Sequence, residues 1–275
     1  MAHQKLLSVS TALDQMLSSL GRTGVERIPL EEAGGRVLAA PIHSTLDLPP
    51  FSNSSMDGFA VRPEDVASAT RENPAELRVV GDIPAGTIPE GSLYPGQAMR
   101  ITTGAPVPEG AEAVVPVEDT DAAENNSGGE LPESVFVFRA VAPGDYIRPR
   151  GQDLRAGDPA IPSGIRLRPQ EMGMLATLGY SQVEVFRKPR VAVLSTGDEL
   201  IPIDQTPLPG KIRESNSHTL AAQVQSCEGE VIRLGIVPDD LGTLVARLEE
   251  AAESGADLIV STAGVSVGAY DYVRT

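Results

Sequence analysis

The chain has 275 residues, with 22 Lys and Arg against 38 Asp and Glu, a formal net charge of −16. That balance excludes general nucleic-acid binding, and the absence of Trp, with only five Phe and five Tyr, excludes a base-stacking surface. At 41% apolar residues the chain is globular, long enough for two domains or three small ones. A single cysteine, Cys227, excludes an internal disulfide and points to a reducing compartment. The first residues interleave Ser, Asp and Gln with leucines and offer no signal-peptide core, and no apolar run reaches the ~18 residues of a membrane span. These features predict a cytoplasmic protein that engages neither membrane nor nucleic acid.

Residues 4–20 predict an amphipathic helix, because Leu6, Val9, Leu13, Met16, Leu17 and Leu20 recur on one face and Gly21 and Gly24 stop it. Short strand and turn pieces follow around Gly34 and Gly35. From Pro49 to Glu118, ten prolines with frequent glycines punctuate short apolar runs, the pattern of a compact β-rich domain with tight turns. Residues 121–134 are polar and turn-rich and predict a mobile hairpin tip. Charge then reverses. Residues 1–138 carry a net −12 and residues 191–275 a net −8, whereas residues 139–190 carry +4. Such a segment either focuses an anionic ligand or pairs with the acidic excess, and the sequence favours neither.

From Arg190 the pattern becomes α/β. A strand at 191–194 is followed by a helix capped at Ser215 and Asn216 and closed by Gly229, with Cys227 on it as a small packed side chain. A second strand spans 230–237. Asp239 and Asp240 cap a helix with Leu241, Leu244, Val245, Leu248 and Ala252 on one face, and a third strand spans 257–261. This alternation implies parallel pairing, with two helices leaving one sheet edge and one face poorly covered.

Ligands of open parallel sheets bind beyond the carboxyl ends of the strands. Three segments fall there: Thr196-Gly-Asp-Glu199, Asp239-Asp240 and Ser261-Thr-Ala-Gly-Val-Ser-Val-Gly268. The last exposes hydroxyls and backbone N–H groups of the kind that hold a phosphate, although many such loops merely turn. Asp198, Glu199, Asp239 and Asp271 are carboxylates of the type Mg²⁺ takes, and taken singly each reads as well as a helix cap or a solvated group. Together the loop and the carboxylates make sense when a divalent cation bridges them, since otherwise they repel a bound anion. In the N-terminal half, Asp57 and the Thr102-Thr103-Gly104 turn bring a carboxylate and hydroxyls into two dense segments. His3, His43 and His218 lack metal-ligand spacing, and no zinc site is predicted.

The segment Pro50-Phe-Ser-Asn-Ser-Ser-Met-Asp-Gly-Phe-Ala-Val-Arg62 resembles the molybdopterin molybdenumtransferase family, the molybdenum insertase of cofactor biosynthesis. The resemblance extends, in family order, through Met99-Arg-Ile-Thr-Thr-Gly104, Ile147-Arg-Pro-Arg-Gly-Gln-Asp153 and Val191-Ala-Val-Leu-Ser-Thr-Gly-Asp-Glu199. It continues through Glu214-Ser-Asn-Ser217, Leu234-Gly-Ile-Val-Pro-Asp-Asp240 and Gly264-Val-Ser-Val-Gly-Ala-Tyr-Asp-Tyr272.

This resemblance implies an α/β and β-rich multidomain chain. Its parts would be an elongated N-terminal region of residues 1–48 plus 140–186, an inserted β-rich domain at 49–139, and a molybdopterin-binding-like α/β domain at 187–275 with a partial parallel sheet. It implies a homodimer that binds adenylylated molybdopterin and molybdate and, with Mg²⁺, releases AMP and leaves molybdenum on the pterin dithiolene. An interaction with the molybdopterin adenylyltransferase is also implied. The matching catalytic positions are Asp57, Thr103, Asp153, Glu199, Asp239 and Asp271, with Asp239 and Asp271 as metal ligands. The pterin-phosphate loop falls on Ser261, Thr262, Gly264, Val265, Ser266 and Gly268, where Ala263 stands in place of a family glycine. The family continues beyond residue 275 with a lysine-bearing loop and a further β-rich domain, so the 275-residue chain is expected to dimerise yet turn over poorly. The competing expectation is a non-catalytic pterin-binding or scaffold module of the same family. A nicotinamide-nucleotide deamidase, related through the α/β part alone, leaves the N-terminal motifs unexplained.

Overall fold

The computed structural model describes residues 7–124 and 129–262 and divides the chain into two compact units, one of residues 42–161 and one built from the flanking segments. Helix α1 (Val9–Ser19) opens the flanking unit, starting later than the periodicity predicts because the Ser8 hydroxyl caps it by accepting the Thr11 N–H at 3.1 Å. Its apolar stripe is not packed: no residue of α1 is buried, and Val9, Leu13, Met16 and Leu17 are exposed. Strand β1 (Val25–Pro29) follows.

The 42–161 unit contains β2 (Ile42–His43), β3 (Asn53–Ser54), β4 (Gly58–Val61), β5 (Ala75–Ile83), β6 (Gln97–Ile101), β7 (Ala113–Pro116), β8 (Ser134–Val137), β9 (Ile147–Arg148) and β10 (Pro159–Ile161). Five of them form a sheet in the order β7-β4-β6-β5-β8, antiparallel except for the β5–β6 pair. Both faces of this sheet are covered. Phe59, Val61, Leu77, Ala98 and Val115 pack on one side, and Ala60, Ile83, Met99, Ile101 and Val114 on the other. Two-sided burial is why the strands read as continuous apolar runs rather than alternating ones. The predicted tip at 121–134 lies in part outside the described residues, and its described start is a 3₁₀ turn at Asp121–Glu124.

The flanking unit resumes with α2 (Pro169–Thr177) and β11 (Gln182–Phe186), which pairs antiparallel with β1. Pro169 sits where a helix needs no N–H, and Glu171 accepts the Arg168 N–H at 2.9 Å. Ion pairing with the Arg168 side chain holds the Glu171 carboxyl at about 2. Then come β12 (Arg190–Thr196), β13 (Leu200–Ile201), β14 (Ile212–Arg213), α3 (Asn216–Ser226), β15 (Glu230–Val237), α4 (Leu241–Glu253) and β16 (Leu258–Thr262). Three strands form a parallel sheet in the order β15-β12-β16, as the alternation predicts. Central β12 is buried along nearly its whole length. Ala192 and Leu194 face Leu244 and Ala251 of α4, while Val191 and Val193 line an apolar cavity of about 250 Å³ with Leu220 and Val224 of α3. Leu258 and Ile259 of β16 remain exposed, the poorly covered edge that two helices leave.

Two local expectations change, and one question the sequence leaves open is answered. The turn out of α3 places Glu228, not Gly229, at positive φ (64°), with Lys188 donating to the Glu228 carboxylate. Cys227 is exposed at the end of α3, because the helix stops there and turns its last residue outward. The basic segment pairs with the acidic excess. Arg139, Arg148, Arg150, Arg166, Arg168, Arg187, Lys188 and Arg190 each lie within ion-pair distance of a carboxylate.

Gly58 has a steric reason to be glycine, since a Cβ there would stand 1.9 Å from the Val115 carbonyl oxygen of the neighbouring strand. That atom is backbone within a sheet and has no room to move. Gly58→Ala should therefore cost about 3 kcal/mol of stability by urea unfolding. A loss below about 1 kcal/mol would show that the β4–β7 pair adjusts freely.

Candidate functional site

In the 42–161 unit, the segment leading into β4 and the turn after β6 are stitched together. Gly104 N–H donates to the Ser54 carbonyl at 2.8 Å, and Ser54 N–H to the Ala105 carbonyl at 3.0 Å. Gly104 takes φ of +83°, which lets the turn reverse without a Cβ clash. This stitching brings together two predicted residues 46 positions apart. Asp57 Oδ1 accepts the Thr103 N–H at 2.6 Å and the Thr103 hydroxyl at 2.8 Å. These two donors hold the exposed Asp57 carboxyl below the ordinary aspartate value.

Asp57 lines a cavity of about 750 Å³ with Asp82, Arg100, Thr102, Asp121 and Glu130. Arg100 grips Asp82 with two bonds, Nε to Oδ1 at 2.9 Å and Nη2 to Oδ2 at 2.6 Å, and its Nη1 donates to the Gly129 carbonyl at 3.2 Å. That pair is a fixed, internally neutralised element in an otherwise acidic cavity, and sequence reasoning missed it because the partners lie on different strands. Asp153 lies in the same unit but bonds elsewhere. Its Oδ2 accepts from Arg148 at 2.7 Å, and its N–H donates to the Leu48 carbonyl at 2.8 Å.

In the flanking unit, β12 lies between β15 and β16, so the connection leaving β12 and the one leaving β15 run in opposite directions across the sheet. This is a topological switch point. Asp198 and Asp239 meet there reciprocally. Asp239 N–H donates to Asp198 Oδ1 at 3.2 Å, and Asp198 N–H donates to Asp239 Oδ2 at 3.4 Å. Lys211 Nζ donates to the Asp198 carbonyl at 2.5 Å. Glu199 is exposed and folds back over Gly197, where an added Cβ would lie 2.5 Å from its carboxylate. Asp240 is a helix cap, its Oδ1 accepting the Thr243 N–H and hydroxyl at 2.7 Å each.

Ser261 and Thr262 end β16, half-buried beside β12. Gly264, Val265, Ser266, Gly268 and Asp271 lie outside the described residues. Sequence reasoning also missed Glu214. It is buried, and accepts from Ser195 Oγ at 3.0 Å, Ser217 N at 2.7 Å and Ser217 Oγ at 2.5 Å. Burial pushes its carboxyl up, but the Ser217 and Ser195 donors and nearby His218 bring it below the ordinary glutamate value. Its sequence signals were its place just ahead of the α3 N-cap and its position in the Glu214-Ser-Asn-Ser217 segment. Ser215, the predicted cap, makes no side-chain capping bond.

Among the described residues no three His, Cys, Asp or Glu side chains gather as a metal cage. The adjacent Asp198 and Asp239 carboxylates still suit Mg²⁺, which binds through one or two carboxylates and keeps waters for substrate oxygens to replace.

Residues 7–179 match the family model described as the MoeA N-terminal region (domain I and II), and residues 192–275 match that of a probable molybdopterin binding domain. The chain belongs to the MoeA family. It is 44% identical to the molybdopterin molybdenumtransferase of Nostoc sp. over 90% of this chain and 55% of that one. To its counterpart in Bacillus subtilis it is 40% identical over 90% and 56%. The crystal structure of the molybdopterin biosynthesis moeA protein from Pyrococcus horikoshii OT3 matches with a TM-score of 0.84 at 36% identity, covering 94% of this chain and 66% of that one. The chain thus spans between about half and two thirds of the length of these MoeA relatives.

Removing the second donor to Asp57 tests how its carboxylate is held. A carboxyl lowered in the folded state adds stability above its unfolded value near 3.8, and this is lost as pH falls through the folded value. Thr103→Val keeps the N–H and removes the hydroxyl, so the Asp57 carboxyl should titrate higher by NMR and lose its stabilising effect at higher pH. An unchanged Asp57 titration would show that the N–H alone sets it.

Proposed function

We propose that this chain carries the pterin- and metal-binding part of a molybdopterin molybdenumtransferase, in which molybdate is inserted into adenylylated molybdopterin with Mg²⁺ and AMP is released. The observation that carries this reading is the reciprocal Asp198–Asp239 pair at the carboxyl end of β12. Two carboxylates side by side repel an approaching phosphate, and a divalent cation between them and the phosphate reverses the sign of that interaction. The names of the relatives support molybdenum transfer to molybdopterin.

AMP release on adding molybdate separates turnover from pterin binding alone. In a full-length protein, Asp239→Asn should lower AMP release by about a hundredfold while leaving the thermal midpoint nearly unchanged, because its bond to Asp198 is long. Turnover that is independent of Mg²⁺ concentration would sink the metal assignment.

The second element of the proposal is a homodimer in which Asp57 and Thr103 of one protomer serve the site formed by Asp239 of the other. The exposed Val9, Leu13, Met16 and Leu17 of α1 support association, since a solitary helix seldom leaves such a stripe in water. Heterodimers with Asp57→Ala on one chain and Asp239→Asn on the other should regain one working site of two. Both homodimeric variants should be inactive. Inactive heterodimers of verified composition would refute the shared site.

A further inference from the structure

Arg187, Lys188 and Pro189 are the three residues that join β11 of the β1–β11 pair to β12 of the parallel sheet. The backbone of this joint is bonded on the β1 side. Arg187 N–H donates to the Gly24 carbonyl at 2.7 Å, and the Thr23 hydroxyl donates to the Arg187 carbonyl at 2.7 Å. Its side chains reach the other way. Arg187 donates to both oxygens of Asp257, just ahead of β16, at 2.7 and 3.0 Å. Lys188 Nζ donates at 3.0 Å to Glu228 Oε2, in the turn between α3 and β15. The other Glu228 oxygen lies 3.5 Å from Arg166 Nη2. Arg166 is in turn bridged to Val37, whose carbonyl accepts the Phe186 N–H of β11 at 2.8 Å. Two carboxylates at the amino ends of the parallel strands thus grip both the joint and the layer before it.

Glu228 occupies the left-handed region (φ 64°), where glycine sits freely and a side chain is strained. A turn shaped for stability alone takes glycine there. Glu228 instead keeps a carboxylate, which Lys188 and Arg166 hold below the ordinary glutamate value. The Lys188 and Glu228 side chains are 36% and 42% exposed, so their pair is weak and screened by salt. Weak pairs on both sides of a three-residue connection make a contact that both holds and releases. We infer that residues 187–189 are a hinge, and that Glu228 and Asp257 form its latch, fixing the parallel sheet against the β1–β11 pair until salt screens them. The proposed association runs through α1, ahead of β1, whereas the Asp198–Asp239 site lies beyond the hinge. The latch then sets where that site is carried relative to a second protomer. That consequence rests on the reading of α1 under the proposed function, and the latch itself does not.

The test puts spin labels on the full-length protein at two exposed positions, Arg27→Cys of β1 and Glu249→Cys of α4, with Cys227→Ser to remove the native thiol. Labelled protomers are diluted in unlabelled ones, and pulsed dipolar spectroscopy reads the distance distribution within one chain. The parent should show one narrow distance at low salt, broadening about twofold in about 1 M NaCl. Glu228→Gly should broaden it about twofold at low salt, yet leave the thermal midpoint level or raised, because glycine relieves the strained turn. Glu228→Gln keeps the strain and loses the charge, and should broaden it as much. Glu228→Gly combined with Arg187→Gln should broaden it further and abolish the response to salt. A distribution that neither salt nor the variants change would overturn the latch. A Glu228→Gly midpoint lowered by more than about 4 °C would overturn it too, by showing Glu228 to be a part of the fold itself. A full-length protein that sediments as a monomer would instead defeat the proposed shared site, and the distances would still decide the latch.

Discussion

Carboxylates accepting backbone N–H groups tie together the loops that carry the candidate residues. Asp57 holds the turn at Thr103, Asp198 and Asp239 hold each other's loops, and Glu214 holds the first turn of α3. The same device recurs at Asp47 with Ala156, at Asp240 with Thr243 and at Asp257 with Arg190. Loop amides have no ladder partner, and an ionised acceptor is the strongest substitute a side chain offers. A chain with a net charge of −16 has such acceptors in surplus, so part of its acidity is structural.

Using carboxylates as ties leaves each with unequal oxygens. Asp57 receives both Thr103 donors on Oδ1, and Asp198 and Asp239 each accept the other's N–H through one oxygen. The remaining oxygens face solvent with their charge only partly offset. Like charges held on neighbouring loops repel each other, and a cation placed between Asp198 and Asp239 would relieve that repulsion. The ties preorganise the site at the same time, because a carboxylate fixed by an amide needs no reordering when a ligand arrives.

Much of the α/β part was legible because its signals are local. The apolar run at 191–194, the helical spacing of Leu241, Leu244 and Leu248, and the punctuating Gly255 each lie within a few residues of what they control. Asp57 and Thr103 entered through separate motifs, and only the fold shows that one carboxylate binds the other residue twice. What remained hidden depends on partners far along the chain. Glu214 reads as one more acidic residue before a helix until Ser195, 19 positions earlier, is seen to donate to it. Arg187 reads as part of a basic segment until Asp257, 70 positions later, neutralises it. Cys227 was misjudged for a smaller reason. Helical periodicity puts it on a face, but the left-handed Glu228 ends the helix before that face is covered.

The arginine pairing also constrains how the α/β part can recognise an anion. Arg187, Lys188 and Arg190 are engaged by Asp257, Glu228 and Glu230, and Lys211 is directed at a backbone carbonyl. Among the described residues, the carboxyl ends of β12 and β15 present carboxylates, not guanidinium groups. An anion placed there would meet acceptor charge, which only oriented N–H dipoles or an added cation would offset. Glu214, just ahead of α3, accepts from Ser195 of β12, which accepts in turn from Thr262 at the end of β16, so one buried carboxylate ties the elements at that end of the sheet together.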